Sequence, residues 1–169
     1  SLRALLDEGY DAVFVGSGAP KGKELKLPGR AEADRVHIGI DWLESVAFGH
    51  VEKIGERVLI IGVGNTAMDC CRSSLRLGAK DVKVMARKPR QFFKASEWEL
   101  EDAEQEGVHI VVNHSPKNFV VEKDASGKTR LRGMTFDQME YDFDANGAIV
   151  AERITGETFI PCDDVILAI

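Results

Sequence analysis

At 169 residues the chain has the length of a single domain, and a chain of this size buries roughly 70% of the surface its unfolded form exposes, enough for a core. Its 44% hydrophobic and 30% charged residues are ordinary for a water-soluble fold, and its net charge of −6 argues against general nucleic-acid binding. No apolar run approaches the ~20 residues that cross a bilayer.

The opening SLRALLDEGYD reads as a short amphipathic helix running into a strand, not as a secretory signal. Tyr10 to Val15 is that strand, and Gly16-Ser17-Gly18 is a turn. Residues 19 to 36 are loop, punctuated by Pro20, Gly22, Pro28 and Gly29. Asp41 is placed to cap a helix over Trp42 to Phe48. Val58 to Ile61 is the next apolar run, and it breaks at Gly62 before Val63. A helical run follows, on which Ala67, Cys71, Ser74 and Gly78 recur as a small-residue face able to pack close to a sheet. Val82 to Ala86 is another strand, and it ends in Arg87, Lys88 and Arg90. Ser96 can cap the acidic helix EWELEDAEQEG, which Gly107 ends, and Val108 to Val112 is a third apolar strand.

From 117 to 161 the period changes. Short runs at Asn118 to Val121, Leu131 to Met139, Ala148 to Val150 and Thr158 to Ile160 are separated by turns such as Ala125-Ser126-Gly127 and Asn146-Gly147. This is the pattern of an antiparallel meander. Asp164 to Ile169 is a last strand, and the chain stops within it; neither end has the look of a natural terminus. Strand, helix, strand, helix, strand, meander and closing strand make an α/β fold: a three-layer, Rossmann-like dinucleotide-binding domain with an antiparallel β-meander.

The turn carries the chemistry. Gly62, Gly64 and Ala67 form G-x-G-x-x-A between a strand and a helix, and a second strand follows. Gly62 permits the tight turn, Gly64 lets a pyrophosphate approach the backbone, and Ala67 lets the helix close on the sheet. The first helical N–H groups, at Asn65 and Thr66, have no internal partners and point at phosphate. A glycine turn in another α/β protein, such as a methyltransferase, is the competing reading. An NAD site places an acidic residue about 20 residues beyond the fingerprint. Arg87 stands there, and no Asp or Glu occurs between Val82 and Phe93. An arginine fork there suits the 2′-phosphate of NADP, with Lys88 and Arg90 beside it. A solvated surface cluster is the alternative.

Other candidates carry less. Cys70, Cys71 and Cys162 form no C-x-x-C and no zinc or iron–sulfur spacing, and read as small buried residues in a reducing cytoplasm. The missing C-x-x-C excludes a thioredoxin-reductase-like dithiol in this stretch, and no Tyr-x-x-x-Lys pair suggests a short-chain dehydrogenase. His37, His50, His109 and His114 read as structural, the first two without partners. Asp69, Glu97 and Glu99 read as charges favoured near helix N-termini, with a weaker reading that puts Glu97 near a nicotinamide. No catalytic side chain and no metal ligand is expected.

DAVFVGSGAPKGKELKLPG, VLIIGVGNTAMDCCRSSLRLGA, the Arg87 region, EQEGV and DDVILAI occur in an order that resembles the NADPH-binding domain of the glutamate synthase small subunit. The group includes the flavin segment of dihydropyrimidine dehydrogenase and related iron–sulfur flavoproteins. The resemblance implies an NADPH domain inserted into an FAD domain through two crossing strands, the first at Ala12 to Gly18. On that basis residues 1–36 are a crossing strand and linker, and 37–169 the NADP-binding domain. It further implies hydride transfer from NADPH to FAD and on to iron–sulfur clusters in the parent protein. The FAD domain of the same polypeptide, and a larger catalytic subunit, would be its partners. Two segments depart from the pattern: Phe93-Lys94-Ala95 stands where the group has Met-Pro-Ala, and Ala86-Arg87-Lys88 where it often has Tyr-Arg-Arg. A non-catalytic dinucleotide-sensing domain is the alternative function; a self-sufficient dehydrogenase is disfavoured because no catalytic dyad is present.

Overall fold

The computed structural model describes all residues except Ser17, Ala19 and Pro20. In chain order the elements are α1 (Leu2–Asp7), β1 (Val36–Ile38), α2 (Gly39–Ala47), β2 (Arg57–Ile61), α3 (Asn65–Arg76) and β3 (Asp81–Met85). A short 3-10 turn at Arg90–Phe92 leads to α4 (Glu97–Gln105) and β4 (His109–Val111). The strands β5 (His114–Lys123), β6 (Thr129–Phe143), β7 (Ile149–Pro161) and β8 (Asp164–Leu167) complete the chain. No helix among the described residues is long and apolar enough to cross a membrane.

Five strands form a parallel sheet in the order β1-β8-β2-β3-β4, and β5-β6-β7 form a separate antiparallel sheet. Strand alternation sends Val58, Ile60, Val82, Val84 and Ile166 toward the helices and Leu59, Ile61, Met85, Val165 and Leu167 toward the meander. Burial on both faces explains why these strands read as unbroken apolar runs. Phe119, Leu131, Met134 and Phe136 cover the second face, together with Leu25, Leu27 and Ala33 from the long loop. The three layers are helices, parallel sheet and meander.

On α3, Ala67, Cys71 and Ser74 are fully buried, as their size allows. Gly78 does not belong to that face. It follows the C-cap Leu77 with φ +97°, the left-handed conformation that ends helices.

Several expectations are corrected. Tyr10 to Val15 is not a strand: no ladder partner pairs with it among the described residues, and Tyr10, Phe14 and Val15 are exposed. Strand propensity without a neighbour leaves the backbone bonded to water. The turn expected at Gly16-Ser17-Gly18 includes a residue outside those described. Asp41 is not a cap; α2 begins at Gly39 after Ile38, and Asp41 lies in its first turn. Ser96 does hold the N-cap position of α4, but its hydroxyl bonds the Glu99 carboxylate at 2.6 Å instead of a backbone N–H. The runs expected at 148–150 and 158–160 are not separate: all but Ala148 belong to one strand, β7, kept continuous by pairing with β6. β1, unforeseen in the loop reading, pairs with β8 from Val36 onward.

Candidate functional site

The turn after β2 lies at the C-terminal edge of the parallel sheet, beside the point where the chain's path reverses between β2 and β8. Open α/β sheets bind ligands at such a place. Gly62 has φ +132°, and a Cβ there would meet the Ala168 carbonyl oxygen at 2.2 Å. Ala168 in turn donates its N–H to Ile61 at 2.8 Å. Gly62 therefore serves both the turn and the close approach of β8's exit.

Gly64 is different. Its backbone is extended, as any residue could be, and a Cβ there would meet nothing within 4 Å. Asn65 and Thr66 open α3, are exposed, and find no acceptor for their N–H groups among the described residues. The Ala67 N–H is bonded to Gly64 at 2.9 Å, and its side chain is buried against the sheet. A cavity of about 300 Å³ lies on one side of the turn, lined by Lys21, Lys23, Ile40, Thr66, Ala168 and Ile169 among others. A second, of about 240 Å³, is lined by Gly62, Val63, Met85, Ala86, Arg87 and Ile169 among others. The backbone at the turn is thus open to both the Lys21 and the Arg87 sides.

The basic residues at the end of β3 are not equivalent. Arg87 is exposed, and its guanidinium has no ion pair among the described residues. The Lys88 ammonium lies 5.4 Å from the centre of the Phe92 ring, a cation–π contact, and has no carboxylate partner among the described residues. Arg90 is engaged: it pairs with Glu97 at 2.8 Å and Glu104 at 2.9 Å, and these hydrogen bonds raise its pKa further. Glu97, weakly read as a nicotinamide neighbour, spends its carboxylate on Arg90. The segment after the 3-10 turn returns to the glycine turn, where the Val63 carbonyl accepts both the Lys94 and the Ala95 N–H, at 3.1 and 3.0 Å.

Asp69 lies beyond the first turn of α3, which carries no acidic residue, so it is not a dipole charge. Burial and the nearby Glu99 raise its pKa above the ordinary carboxylate value. His37 is not partnerless: it is on β1 and its Nε2 lies 2.8 Å from Asp164. His114 bonds the Val112 carbonyl at 2.7 Å and meets Phe136 edge-on, and His50 stacks on Phe48. Cys70, Cys71 and Cys162 are buried free thiols. Burial pushes Cys71 and Cys162 up to about 12 and Cys70 higher still, so none is a thiolate at neutral pH.

The sequence reading missed one polar cluster. Asp164 is 1% exposed and accepts hydrogen bonds from Arg35 at 2.5 Å, His37 at 2.8 Å and the Gly55 N–H at 2.8 Å. It sits where the parallel strands begin, away from the glycine turn. Burial works to raise its pKa, but these hydrogen bonds outweigh burial and hold it below the ordinary value.

A parallel sheet with a glycine turn at its switch point, backed by helices on one face and a meander on the other, is a Rossmann-like architecture of the nucleotide-binding class. The chain belongs to the pyridine nucleotide-disulphide oxidoreductase family, whose model matches residues 6–168. It is 32% identical over 168 residues to the NADPH-Fe(3+) oxidoreductase subunit beta of Geobacter sulfurreducens, covering 97% of this chain and 24% of that protein. It is 34% identical over 172 residues to the glutamate synthase [NADPH] small chain of Escherichia coli K12, covering 94% of this chain and 35% of that one. Relatives of the glutamate synthase kind are therefore found, as the motifs implied. The chain spans about a quarter to a third of the length of these two relatives. Mycobacterium tuberculosis FprA, solved in complex with NADPH, shares the fold with a TM-score of 0.71 at 16% identity, over 98% of this chain and 51% of that one.

Proposed function

We propose that this chain is the NADPH-binding domain of a flavoprotein oxidoreductase of the glutamate synthase small-subunit kind. When bound, NADPH would supply a hydride to FAD, and the reduced flavin would pass its two electrons one at a time to iron–sulfur clusters held elsewhere in the parent polypeptide, releasing the proton. The chain's own residues bind and orient. The backbone at Gly64, Asn65 and Thr66 receives the pyrophosphate, with Gly62 and Ala67 setting the turn and the helix against the sheet. Arg87 and Lys88 clasp the 2′-phosphate, and Arg90, tied to α4, backs them. Partners in this reading are the FAD domain of the same polypeptide and a larger catalytic subunit.

The observation that carries the reading is the Arg87 guanidinium, without an ion-pair partner among the described residues, on the same cavity as the glycine turn. The test is calorimetric titration of the chain with NADPH and NADH. Arg87→Ala should weaken NADPH by roughly ten- to a hundredfold, the worth of a hydrogen bond to a charged group, and leave NADH almost unmoved. Arg87→Asp with Lys88→Ala should go further and favour NADH, because a carboxylate repels phosphate and accepts from ribose hydroxyls. A wild-type preference for NADH defeats the assignment.

A further inference from the structure

We infer that the β6–β7 hairpin is a cofactor-selectivity element and that Tyr141 is the positioning residue through which it acts on Arg87. The inference rests on the reading of Arg87 as the 2′-phosphate ligand.

The backbone at the end of β3 is held up to Ala86 by the two sheets. The Ala86 N–H donates to Val111 at 2.8 Å, and its carbonyl accepts the His114 N–H at 2.9 Å. One residue on, no backbone N–H among the described residues bonds the Arg87 carbonyl. There the Tyr141 hydroxyl donates to the Arg87 carbonyl at 2.5 Å. Tyr141 is 7% exposed, so its hydroxyl needs a protein acceptor, and among the described residues this carbonyl is the one it has. Fixing the carbonyl fixes the peptide plane between Arg87 and Lys88, and so the directions in which both side chains leave.

The same hairpin supports the rest of the basic loop. Phe143 stacks on Phe92 with ring centres 6.3 Å apart and planes 13° apart, and Phe92 is the ring under Lys88. Gln91 brings its side-chain nitrogen within 3.5 Å of the Gly147 carbonyl at the hairpin tip. Arg90 alone answers to α4.

The distal hairpin does little else for the fold. Beyond Met139, Tyr141 is the one buried residue of β6, and the facing part of β7 is exposed apart from the half-buried Ile149, with Val150 at 63% and Ile154 at 61%. A hairpin that extends past its core, with one buried ring, and that ring on Arg87, is organised around the basic loop. NADH has no 2′-phosphate, so a displaced Arg87 costs it nothing.

Tyr141→Phe keeps the ring and removes the hydroxyl. Its NADPH dissociation constant should rise about three- to tenfold, as for one hydrogen bond, with NADH within about twofold and the thermal midpoint nearly unchanged. Added to Arg87→Ala, it should cause little further loss, since it acts through that residue. Phe143→Ala, at a partly exposed ring, is the second variant and should show a smaller loss with the same NADPH preference. Equal losses for both dinucleotides, no loss, or full additivity with Arg87→Ala would overturn the inference. If Arg87→Ala itself does not separate NADPH from NADH, the reading of Arg87 fails; if it does and neither hairpin variant does, only the hairpin's role fails.

Discussion

Where the parallel strands begin, Asp164 gathers Arg35, His37 and the Gly55 N–H, and Asp163 pairs with Arg57 at 2.7 Å. Where the same strands end, Arg87 and Lys88 meet no carboxylate among the described residues, and the first N–H groups of α3 stay open. The paired end spends its charge on joining β1, β8 and the approach to β2. The open end leaves polar groups to solvent, without protein partners among the described residues, as a ligand-binding edge requires. On the proposed function, the difference separates residues that hold the fold from residues offered to a dinucleotide, and each substitution should fall cleanly on one side.

The largest effect is expected at Gly64. A β-branched side chain there meets no protein atom, since a Cβ has nothing within 4 Å, yet it fills the space a pyrophosphate needs. Gly64→Val should abolish measurable binding of NADPH and NADH alike while the thermal midpoint stays close to wild type. Unchanged affinity in the folded variant would put the phosphates elsewhere.

Asp164→Ala is the reciprocal case. It removes the carboxylate that accepts three hydrogen bonds and should cost about 2–4 kcal/mol of stability, below the full penalty of breaking a buried pair, because Arg35 and His37 reach solvent. Dinucleotide affinity should be preserved in the folded fraction. Chemical denaturation and titration on one sample would check both halves; a loss of affinity without a loss of stability would erase the distinction between the two ends.

Acid should act on the paired end too. Asp164 and Asp163 are held below the ordinary 3.8, so the folded state favours their charged forms more than the unfolded state does. Their contribution is complete above the unfolded value and is lost as pH falls through the lower, folded values. Wild type should therefore lose stability below about pH 4, and Asp164→Ala should lose less over the same interval. Parallel acid unfolding curves for the two proteins would contradict this.

The helical face of the molecule was legible because its signals are local. Val58 to Ile61, the glycine turn, α3, Val82 to Met85 and α4 each occupy a contiguous window whose period states its type. The meander's existence was legible from its turns, but its strand lengths were not. β7 is long because β6 pairs with it, across residues such as Arg153 that carry no apolar alternation. Tyr10 to Val15 shows the converse, a strand-like run without a neighbour. In the candidate site, the glycine turn and the place of Arg87 at the end of β3 follow from spacing alone. The Asp164 cluster does not, because Arg35 and His37 lie 129 and 127 residues away in the chain. Nor does the engagement of Arg90, which depends on where α4 packs.

That engagement leads to the smallest effect. Arg90 holds Glu97 and Glu104 in one fork, and to meet a phosphate it would have to release both. All three side chains are partly exposed, so each pair is weak, and screening by salt is strong. Arg90→Ala should weaken NADPH by no more than about twofold near physiological salt, the loss arising from two bared carboxylates close to the 2′-phosphate. That loss should fade as salt rises, whereas the loss at Arg87, if it makes the direct forked contact proposed for it, should persist in larger part. Titrations of both variants across a salt series would compare them. A loss at Arg90 as large as that at Arg87 would mean that ligand binding draws Arg90 off α4, and the loop's three basic residues would then act as one clasp.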